Sequence, residues 1–590
     1  MEMIIQTIDA FGGVDLTDPA WTVAAGRSPE GTNMTRDVPG RVRKRMGYET
    51  MYDFGERING IFSYGGDMIV HAGHRLYKYT NSNNPVILAS DLADRISCGM
   101  NFGEYLLLLD GNRYRAYDGN TVFAAEDRAT VPTLTIATPP SGGGTFYSAV
   151  NLLTSKRKQS FYGTAEDRVY VLAARDLDGT AVTAELLLED GTRETVTEGV
   201  GLSVDRENGT VTFGTAPGVS PITGEDNVVI TYGKTTGGNA GRINGCRFMI
   251  AYGAYGNSDR VFACGNPDYP AGDFYSGIND PFYFPDTGYL QTGSADAPIT
   301  GYSVTGSALG VHKSGEPYNR NLFLRQGEAD ENGEPVFRVT DIIQGPGAVN
   351  HRCCVMGNEP LFLTPEGICS ATPYEYGGGR YIQNRSYYLN GRLCRENPAD
   401  THAVMFRGMY LLAAGNRIYA MDTTQRSAAE GDIRTAGRYE GYLWRGPEPR
   451  VMAVIGDRLW FGDDYGALCR FFDDPDSAES CSDDGYPISA RWDINFTGKH
   501  PFRRKFLRYF GLCAAPSGQY DVYVRTDGSW RRTGETPSSP PGEDPVTSSF
   551  AVRSGGTERA VISIRSGGCG RPLFISKAGI EFYEGESIRM

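Results

Sequence analysis

The sequence predicts an all-β chain: a β-propeller of about six to eight blades, an inserted small β-domain and a C-terminal β-sandwich-like domain. Three observations predict this fold. A hairpin pattern recurs along the chain at intervals typical of propeller blades. The 76 Gly residues, which favour turns, accompany 35 Tyr and 27 Phe, which favour short strands. At 590 residues the chain is also too long for a single hydrophobic core.

Four segments carry the hairpin pattern most clearly. In each, an apolar strand ends at a Gly-containing turn and a second strand alternates apolar with polar residues, which indicates a hairpin with one buried face. Another short strand candidate precedes each hairpin. The four hairpins span residues 66–79, 103–117, 408–421 and 456–471.

Weaker copies of the same pattern lie at residues 243–265, 300–324 and 354–371. Together these give seven units of at least three strands, most of them starting roughly 40–55 residues apart, in the range of propeller blades. A propeller is favoured because each small sheet can bury its faces only against its neighbours. An array of β-sandwiches built from the same hairpins is the alternative.

The repeats divide the chain into five regions. A stretch rich in Thr, Pro, Ser and Gly interrupts them after the second unit, and the last part of the chain has strand patterns without the hairpin. The first residues lack both helix caps and strong alternation, which indicates an extended arm that orders on a neighbour. The predicted regions are an N-terminal arm with the first strand (1–56), the first part of the propeller (57–122), the inserted β-domain (123–238), the second part of the propeller (239–475) and the C-terminal β-domain (476–590).

The composition excludes several classes of function. A net charge of −14 argues against coating DNA, because binding phosphates requires Lys and Arg. Ordinary solubility is the favoured explanation of the net charge; the alternative is an acidic channel wall that keeps DNA from sticking while it slides. Eleven Cys without a C-x-x-C pair indicate synthesis in a reducing cytosol. The N-terminus does not have the pattern of a signal peptide, and no apolar run is long enough to predict a membrane span.

Sequence motifs of catalysis are missing. There is no Walker A loop, no H-E-x-x-H and no G-x-S-x-G, so we expect a protein that is not an enzyme, with no catalytic residue, no cofactor and no metal. His71 and His74 form H-x-x-H, but a strand followed by a turn places them on different sides. Adjacent carboxylates could serve glycoside hydrolysis or bind calcium, or could simply belong to turns. These pairs are Asp463-Asp464, Asp473-Asp474 and Asp483-Asp484.

A basic cluster near the N-terminus stands out in this acidic chain. It lies beside Pro39-Gly40, and Arg pairs well with carboxylates, so the cluster is a candidate docking site for an acidic partner. A solvated turn of the first blade is the alternative. The candidate docking residues are Arg41, Arg43, Lys44 and Arg45.

Residues 260–285 form the most unusual stretch of the chain. A strand-like run passes into a long irregular segment that is rich in Gly, Pro, Asp and aromatic residues. Aromatic side chains are enriched in the cores of protein interfaces, so the segment is a candidate interface or channel loop. They would suit the inside of the propeller equally well. The candidate residues are Tyr269, Phe274, Tyr275, Phe282, Tyr283 and Phe284.

This stretch resembles virion tail proteins of tailed bacteriophages, especially the tail nozzle (tubular protein B-like) and DNA-stabilisation proteins of short-tailed phages. Three other patterns carry the same resemblance: Pro39-Gly40 followed by Arg-x-Gly-Tyr48, the strand and corner from Phe213 to Pro217, and the Ile488-Ser-Ala-Arg-Trp492 start of the C-terminal region. The resemblance covers residues 30–60, 205–300 and 485–530.

The resemblance implies a structural role. Such proteins form a homo-oligomeric ring, commonly of six copies, at a tail nozzle or near the connector. The ring closes or lines the channel through which the genome DNA passes, and it contacts a tail adaptor or connector protein and tail fibres. It implies a location in the virion tail after synthesis in the host cytoplasm. It supplies no catalytic residue.

Two other functions stay open on the sequence. One is a carbohydrate-binding or glycan-degrading β-propeller of a phage tail, for which aromatic loops would stack on sugars. The Thr526-Asp-Gly-Ser-Trp530 stretch is only a single fragment of the box that recurs in sialidase propellers, which weakens the glycan-degrading form. The other is a scaffold protein of a bacterial cytosolic complex.

Overall fold

Small antiparallel β-sheets are the recurring element of the fold. The structure is a computed structural model, and it describes residues 3–80, 84–331, 333–373, 380–426, 437–497, 500, 503–515, 518–526, 528–535, 545–568 and 570–587. The chain divides into two compact units. Unit 1 comprises Met1–Ile96, Thr300–Arg325 and Val339–Met590, and unit 2 comprises Ser97–Ile299 and Gln326–Arg338.

The first strands of the chain pair with strands from its other end. β1 and β3 each pair antiparallel with the last strand of the chain, and β2 pairs with β3. β4 pairs antiparallel with residues 467–471. The four strands are β1 (Met3–Ile8), β2 (Met34–Arg36), β3 (Val42–Lys44) and β4 (Tyr48–Asp53).

Two four-stranded sheets follow, each with its strands in chain order. We call these four-stranded sheets blades. Blade 1 consists of β5 (Ile58–Tyr64), β6 (Asp67–Ala72), β7 (Arg75–Tyr79) and β8 (Val86–Ala89). Blade 2 consists of β9 (Cys98–Phe102), β10 (Tyr105–Leu109), β11 (Tyr114–Tyr117) and β12 (Val122–Ala124).

An inserted domain of unit 2 comes next and forms a nine-stranded sheet. Its core holds Phe161, Tyr170, Phe213, Ile230 and Tyr232, all at most 2% exposed. The strand order is β14-β13-β15-β21-β17-β18-β19-β20-β16. The strands are β13 (Thr133–Thr138), β14 (Thr145–Phe146), β15 (Lys156–Phe161), β16 (Val169–Val171), β17 (Thr183–Leu187), β18 (Arg193–Glu198), β19 (Gly201–Asp205), β20 (Thr210–Phe213) and β21 (Val228–Gly233).

Five more blades follow the insert. Blades 3 to 6 again keep their four strands in chain order, whereas blade 7 takes its fourth strand from β4. Blade 3 is β22 (Phe248–Ala251), β23 (Val261–Cys264), β24 (Gly272–Tyr275) and β25 (Tyr289–Gln291); blade 4 is β26 (Ile299–Thr305), β27 (Ala308–Lys313), β28 (Leu322–Ala329) and β29 (Pro335–Ile343). Blade 5 is β30 (Val355–Met356), β31 (Pro360–Thr364), β32 (Gly367–Pro373) and β33 (Arg380–Asn384); blade 6 is β34 (His402–Phe406), β35 (Met409–Ala414), β36 (Arg417–Arg426) and β37 (Tyr439–Arg445); blade 7 adds β38 (Val451–Ile455), β39 (Arg458–Gly462) and β40 (Ala467–Phe471) to β4.

The sequence explains why these blades form. Several first turns contain two residues with positive φ, as Gly65-Gly66, Arg407-Gly408 and Gly456-Asp457 do. Two such residues make a type I′ turn, whose twist matches a tight hairpin. The second strands are continuous apolar runs, because blades are covered on both faces. In β10, leucines 106 to 109 are each at most 2% exposed.

The C-terminal domain is built from two sheets that share one core. The larger has the order β2-β3-β49-β44-β47 with β1 beside β49, and the smaller has the order β43-β48-β45-β46. Trp492, Phe510, Ile562 and Phe582, each at most 1% exposed, pack between them. The strands are β41 (Ser482–Asp483) and β42 (Tyr486–Pro487), which form a separate hairpin, then β43 (Ala490–Phe496), β44 (Arg503–Ala514), β45 (Asp521–Arg525), β46 (Trp530–Glu535), β47 (Val546–Ala551), β48 (Ala560–Ser566) and β49 (Phe574–Ser587).

Helix is scarce in the described part of the chain. The two α-helices are α1 (Asn239–Asn244) and α2 (Tyr387–Leu393), and there are short 3₁₀ turns at Ala125–Arg128, Ala254–Gly256, His351–Cys353, Pro398–Asp400 and Glu479–Cys481. None of the helices that the structure describes has the length and apolar character needed to cross a bilayer.

The fold prediction is confirmed: the chain is all-β, with a β-propeller, an inserted β-domain and a sandwich-like C-terminal domain. Within the described ranges, seven blades lie at the seven positions that the hairpin repeats indicate. Two regional boundaries differ from the prediction. Blade 2 extends to Ala124, and the inserted sheet begins at Thr133 and ends at Gly233.

The N-terminal arm is the main correction to the predicted organisation. Residues 1–56 were expected to form an extended arm, which orders on a neighbour, together with the first strand. We call residues 3–53 the N-terminal segment. Instead β1 to β3 complete the larger C-terminal sheet and β4 completes blade 7. Local alternation is weak there because the partner strands lie at the opposite end of the sequence. Pairing with distant strands, rather than with a neighbouring protein, orders this segment.

Candidate functional site

The basic cluster lies inside unit 1 and not on its surface. Arg43, Lys44 and Arg45 are 6%, 3% and 1% exposed. Arg43 bonds to Asp476 Oδ1 at 2.8 Å, and Lys44 Nζ donates to the Gly568 carbonyl at 2.9 Å. The docking role predicted for these three residues is therefore corrected: they join the N-terminal segment to the C-terminal domain.

Arg45 illustrates this internal role most completely. Its guanidinium donates to both oxygens of Asp483, at 2.8 and 2.5 Å, and to Asn33 Oδ1 at 3.0 Å. The carbonyls of Met46 and Arg445 accept the remaining two bonds. All five N–H donors of the side chain are thus used.

Arg41 is the most accessible member of the cluster, with 27% of its side chain exposed. It pairs with Asp37 and lies over the ring of Phe574, 4.2 Å from the centroid. A docking role for the cluster would therefore have to depend on this residue.

The candidate interface loop forms part of the core of unit 2. Phe274, Phe282 and Phe284 are 1%, 7% and 0% exposed and join the same apolar cluster as residues of blades 2 and 3. Tyr275 is half-buried and lies 5.0 Å from Phe337, centroid to centroid. Tyr269 and Tyr283 are half-buried as well. The three phenylalanines therefore pack inside the propeller, which is the alternative that the sequence left open, while an interface role for the three half-buried tyrosines stays a prediction.

Asn151, which the sequence analysis missed, fixes this aromatic segment. It is 0% exposed, and its Nδ2 donates to the carbonyls of Phe282 and Thr130, both at 2.8 Å. Its Oδ1 accepts from the amides of Phe284 at 3.0 Å and Leu153 at 3.1 Å. Asn151 lies in the connection between β14 and β15 of the inserted sheet, and this connection places it beside Phe282 and Phe284.

The paired carboxylates are engaged in turns and ion pairs. Asp463 Oδ1 accepts three backbone amides of its own turn, at 2.8 to 2.9 Å, and Asp464 pairs with Arg450 at 2.8 Å. Asp483 is held by Arg45. No group of three His, Cys, Asp or Glu that could hold a metal ion occurs among the described residues. The structure places these carboxylates in turns and ion pairs, and the catalytic and calcium alternatives stay predictions.

Two histidines with lowered pKa values are structural groups of unit 1: His312, which is 0% exposed, and His402, which is half-buried. His312 Nδ1 accepts the Ala348 amide at 3.4 Å, so its Nε2 carries the proton and faces Ser303 Oγ at 2.8 Å. Burial, with a smaller effect of nearby His351, lowers the pKa of His312 to about 3. Burial also lowers the pKa of His402 to about 3, with a smaller effect of Arg352. Both side chains are therefore neutral near pH 7.

The larger C-terminal sheet leaves apolar residues on its outer face. Met3 lies opposite Tyr583, and Ile5 lies opposite Glu581, which in turn lies opposite Tyr509. Residues in register share one face of a sheet. Met3, Ile5 and Tyr509 are 49%, 62% and 37% exposed. We call the face that carries Met3, Ile5 and Tyr509 the outer sheet face.

Of the strands that the structure describes, β1 pairs only with β49, so its other edge has no strand partner.

A polar cleft of about 260 Å³ lies in unit 1 between residues 20–30 and the smaller C-terminal sheet. Sequence analysis missed it, because its walls come from opposite ends of the chain. The only sequence signal was Trp530 in the sialidase-like fragment, of which Asp527 lies outside the described residues. We call it the Trp21 cleft; its principal lining residues are Trp21, Arg491, Asp493, Asn495, Arg525 and Arg559.

Comparison with known proteins gives no family. The sequence matches no protein-family model. It also matches no curated protein.

Solved structures with similar folds include domains of very different origin. The WD40 domain of Pan2 from Neurospora crassa is 6% identical, with 73% of this chain and 94% of that chain covered and a TM-score of 0.32. The WD40 domain of SCAP from fission yeast is 8% identical, with coverage of 72% and 98% and a TM-score of 0.26. An exo-β-1,3-galactanase from Phanerochaete chrysosporium is 8% identical, with coverage of 96% and 100% and a TM-score of 0.19. Likenesses this distant say nothing about what the chain binds or does.

Proposed function

We propose that the chain is a non-catalytic structural component of a tailed-phage tail, at the nozzle or in a ring near the connector. There it closes or lines the DNA channel and docks neighbouring tail proteins. The resemblance of residues 30–60, 205–300 and 485–530 to such proteins supports the location. One structural observation supports assembly, namely the outer sheet face with its unpaired β1 edge.

The outer sheet face is suited to contact with a second copy. Met3, Ile5 and Tyr509 offer hydrophobic contact on either side of Glu581, and the unpaired edge of β1 offers backbone hydrogen bonds. Contact between this face and a different surface of the next copy would be heterologous, and such contacts generate a ring when the rotation closes. Six copies is the number that the resemblance implies.

The test is the mass of the purified full chain by light scattering, with negative-stain electron microscopy of the same sample. We expect a ring several times heavier than the 64.3 kDa monomer. Ile5→Glu places a charge on the outer sheet face and should reduce the mass to that of the monomer. Val86→Glu, at a position in blade 1 that is 57% exposed, is the matched control and should leave the ring intact.

A wild-type chain that stays at 64.3 kDa at every concentration tested, and also with a purified tail adaptor protein, would overturn the proposal. A ring that forms equally well with Ile5→Glu would leave the ring in place and would exclude the outer sheet face as its contact.

The alternative is a glycan-degrading propeller, and the carboxylates proposed for its chemistry already have partners within the chain. Asp463 caps a turn and Asp483 is paired with Arg45. Its carbohydrate-binding form has a separate structural basis, which is the Trp21 cleft.

A further inference from the structure

The Trp21 cleft combines an exposed aromatic ring with several charged groups. Trp21 is 56% exposed, whereas Trp444, Trp460 and Trp492 are each at most 5% exposed. A large apolar ring held in water at the edge of a cleft is costly unless something covers it. The flat face of an indole fits the C–H face of a pyranose ring.

The turn that carries Trp21 is fixed to the smaller C-terminal sheet. The Thr22 amide donates to the Pro19 carbonyl at 2.8 Å. Asn495, which is 4% exposed, donates from Nδ2 to the carbonyls of Ala20 and Val23. The backbone of the turn is thus fixed before any ligand arrives, which lowers the entropy cost of binding.

Two guanidinium groups of the cleft are available to an anion. Within the described part of the chain, neither Arg525 nor Arg559 has a carboxylate at ion-pair distance. Arg525 lies over Trp530 at 4.8 Å and Arg559 lies over Trp21 at 5.6 Å, both to the ring centroid. A guanidinium binds a carboxylate through two parallel hydrogen bonds.

The other charged groups of the cleft provide both donors and acceptors. Arg491 pairs with Asp493 through two hydrogen bonds of 2.9 and 2.5 Å, and Asp493 is 2% exposed. Glu30 also lines the cleft. Sugar hydroxyls can donate to carboxylates and accept from guanidinium groups.

We infer that the Trp21 cleft binds an acidic saccharide. The sugar ring stacks on Trp21, its carboxylate binds Arg525 and Arg559, and its hydroxyls face Arg491 and Glu30, whose side chains are 30% and 35% exposed. The volume of about 260 Å³ lies just below the usual range of about 300–1,000 Å³ for ligand pockets, which suits one or two sugar rings. This inference does not rest on the proposed role in a virion.

The test is isothermal titration calorimetry of the full chain with trigalacturonic acid. We expect a Kd of about 1 mM or tighter and no measurable binding of neutral maltotriose. Trp21→Ala should weaken binding about tenfold through lost stacking. The double variant Arg525→Gln with Arg559→Gln should weaken it at least as much, because the carboxylate loses both partners.

Tyr486→Ala is the matched control, since Tyr486 is 77% exposed and does not line the cleft. Its affinity should equal that of the wild type, and unchanged melting temperatures should show that every variant is folded. Three results would overturn the inference: no heat with 10 mM trigalacturonic acid, equal affinity of wild type and Trp21→Ala, or tighter binding of a single-stranded oligothymidylate.

Discussion

Arg45 connects three parts of unit 1 through one side chain. Its partners belong to the N-terminal segment, to the end of β37 and to the β41–β42 hairpin. Because the guanidinium is buried, every lost bond would leave a buried polar group unpaired. Removing Arg45 would therefore lower the stability mainly because Asp483 and the other partners would stay buried without a hydrogen bond.

We expect Arg45→Met to lower the free energy of unfolding by about 3–5 kcal/mol, because Asp483 would remain largely buried without its partner. Urea unfolding followed by tryptophan fluorescence would measure the loss. Arg41→Met is the control, and its partly exposed pair should be worth less than about 1 kcal/mol. Equal losses in the two variants would contradict the special role of Arg45.

Asn151 has a comparable role in unit 2. We expect Asn151→Ala to lower the free energy of unfolding by roughly 3 kcal/mol or more, since it leaves buried backbone donors and acceptors without partners. Hydrogen exchange should show faster exchange at Phe284, whose amide bonds to Asn151. Asn120→Ala, at an exposed position, should have little effect. Unchanged protection at Phe284 would argue against the prediction.

At the scale of elements, the N-terminal segment belongs to two sheets at once. β4 pairs with β40 in blade 7, while β1 and β3 pair with β49 in the C-terminal domain. Unit 1 therefore holds this segment through backbone hydrogen bonds as well as through Arg43, Lys44 and Arg45. The covalent link to β5 is only one of its attachments.

A protease site inserted after Gly55, an exposed residue between β4 and β5, tests this arrangement. After cleavage, we expect the N-terminal fragment to elute with the rest of the chain in size-exclusion chromatography. The two pieces should separate only in denaturant. A fragment that elutes alone in native buffer would mean that the strand pairings are too weak to hold it.

Elements with local partners were predictable, and elements with distant partners were not. The hairpin at residues 66–79 is predicted by an apolar strand, a Gly-containing turn and a second strand that alternates apolar with polar residues. β4 gives no such signal, because its partner β40 lies about 400 residues later in the sequence. The same limit applies to the candidate sites. In the sequence, nothing distinguishes Arg45 and Asp483 from surface charges, because they lie far apart and pair only in the folded chain. Trp21 and Arg559 are likewise distant in sequence and close only in the fold.

At the scale of the whole molecule, acid should weaken the fold through the two histidines with lowered pKa values. His312 and His402 lie in different blades of unit 1, and each has a folded-state pKa of about 3. The unfolded value is about 6.5. Above pH 6.5 both states are neutral. Below it, the unfolded chain binds protons that the folded chain does not, so stability falls progressively as the pH drops from 6.5 towards 3.

We expect each of these histidines to contribute a slope that approaches about 1.4 kcal/mol per pH unit below pH 6.5. Urea midpoints between pH 6.5 and 5.0 would measure it, in a window where most carboxylates stay ionised. His312→Gln should give a shallower pH dependence than the wild type, whereas His500→Gln, at a side chain 59% exposed, should not. An identical slope for wild type and His312→Gln would contradict the prediction.

The pairing of the N-terminal segment with β40 and β49 also determines when this segment can fold during translation. The ribosome makes β1 first and β49 last, and at roughly 5–20 residues per second the interval lasts roughly half a minute to two minutes. Until β49 is made, β1 and β3 lack this partner strand, and β4 lacks a partner until β40 is made. During that time the N-terminal segment is accessible to chaperones and proteases. Unit 1 is complete only after β49 has been made, so no copy can offer the outer sheet face to another before that point.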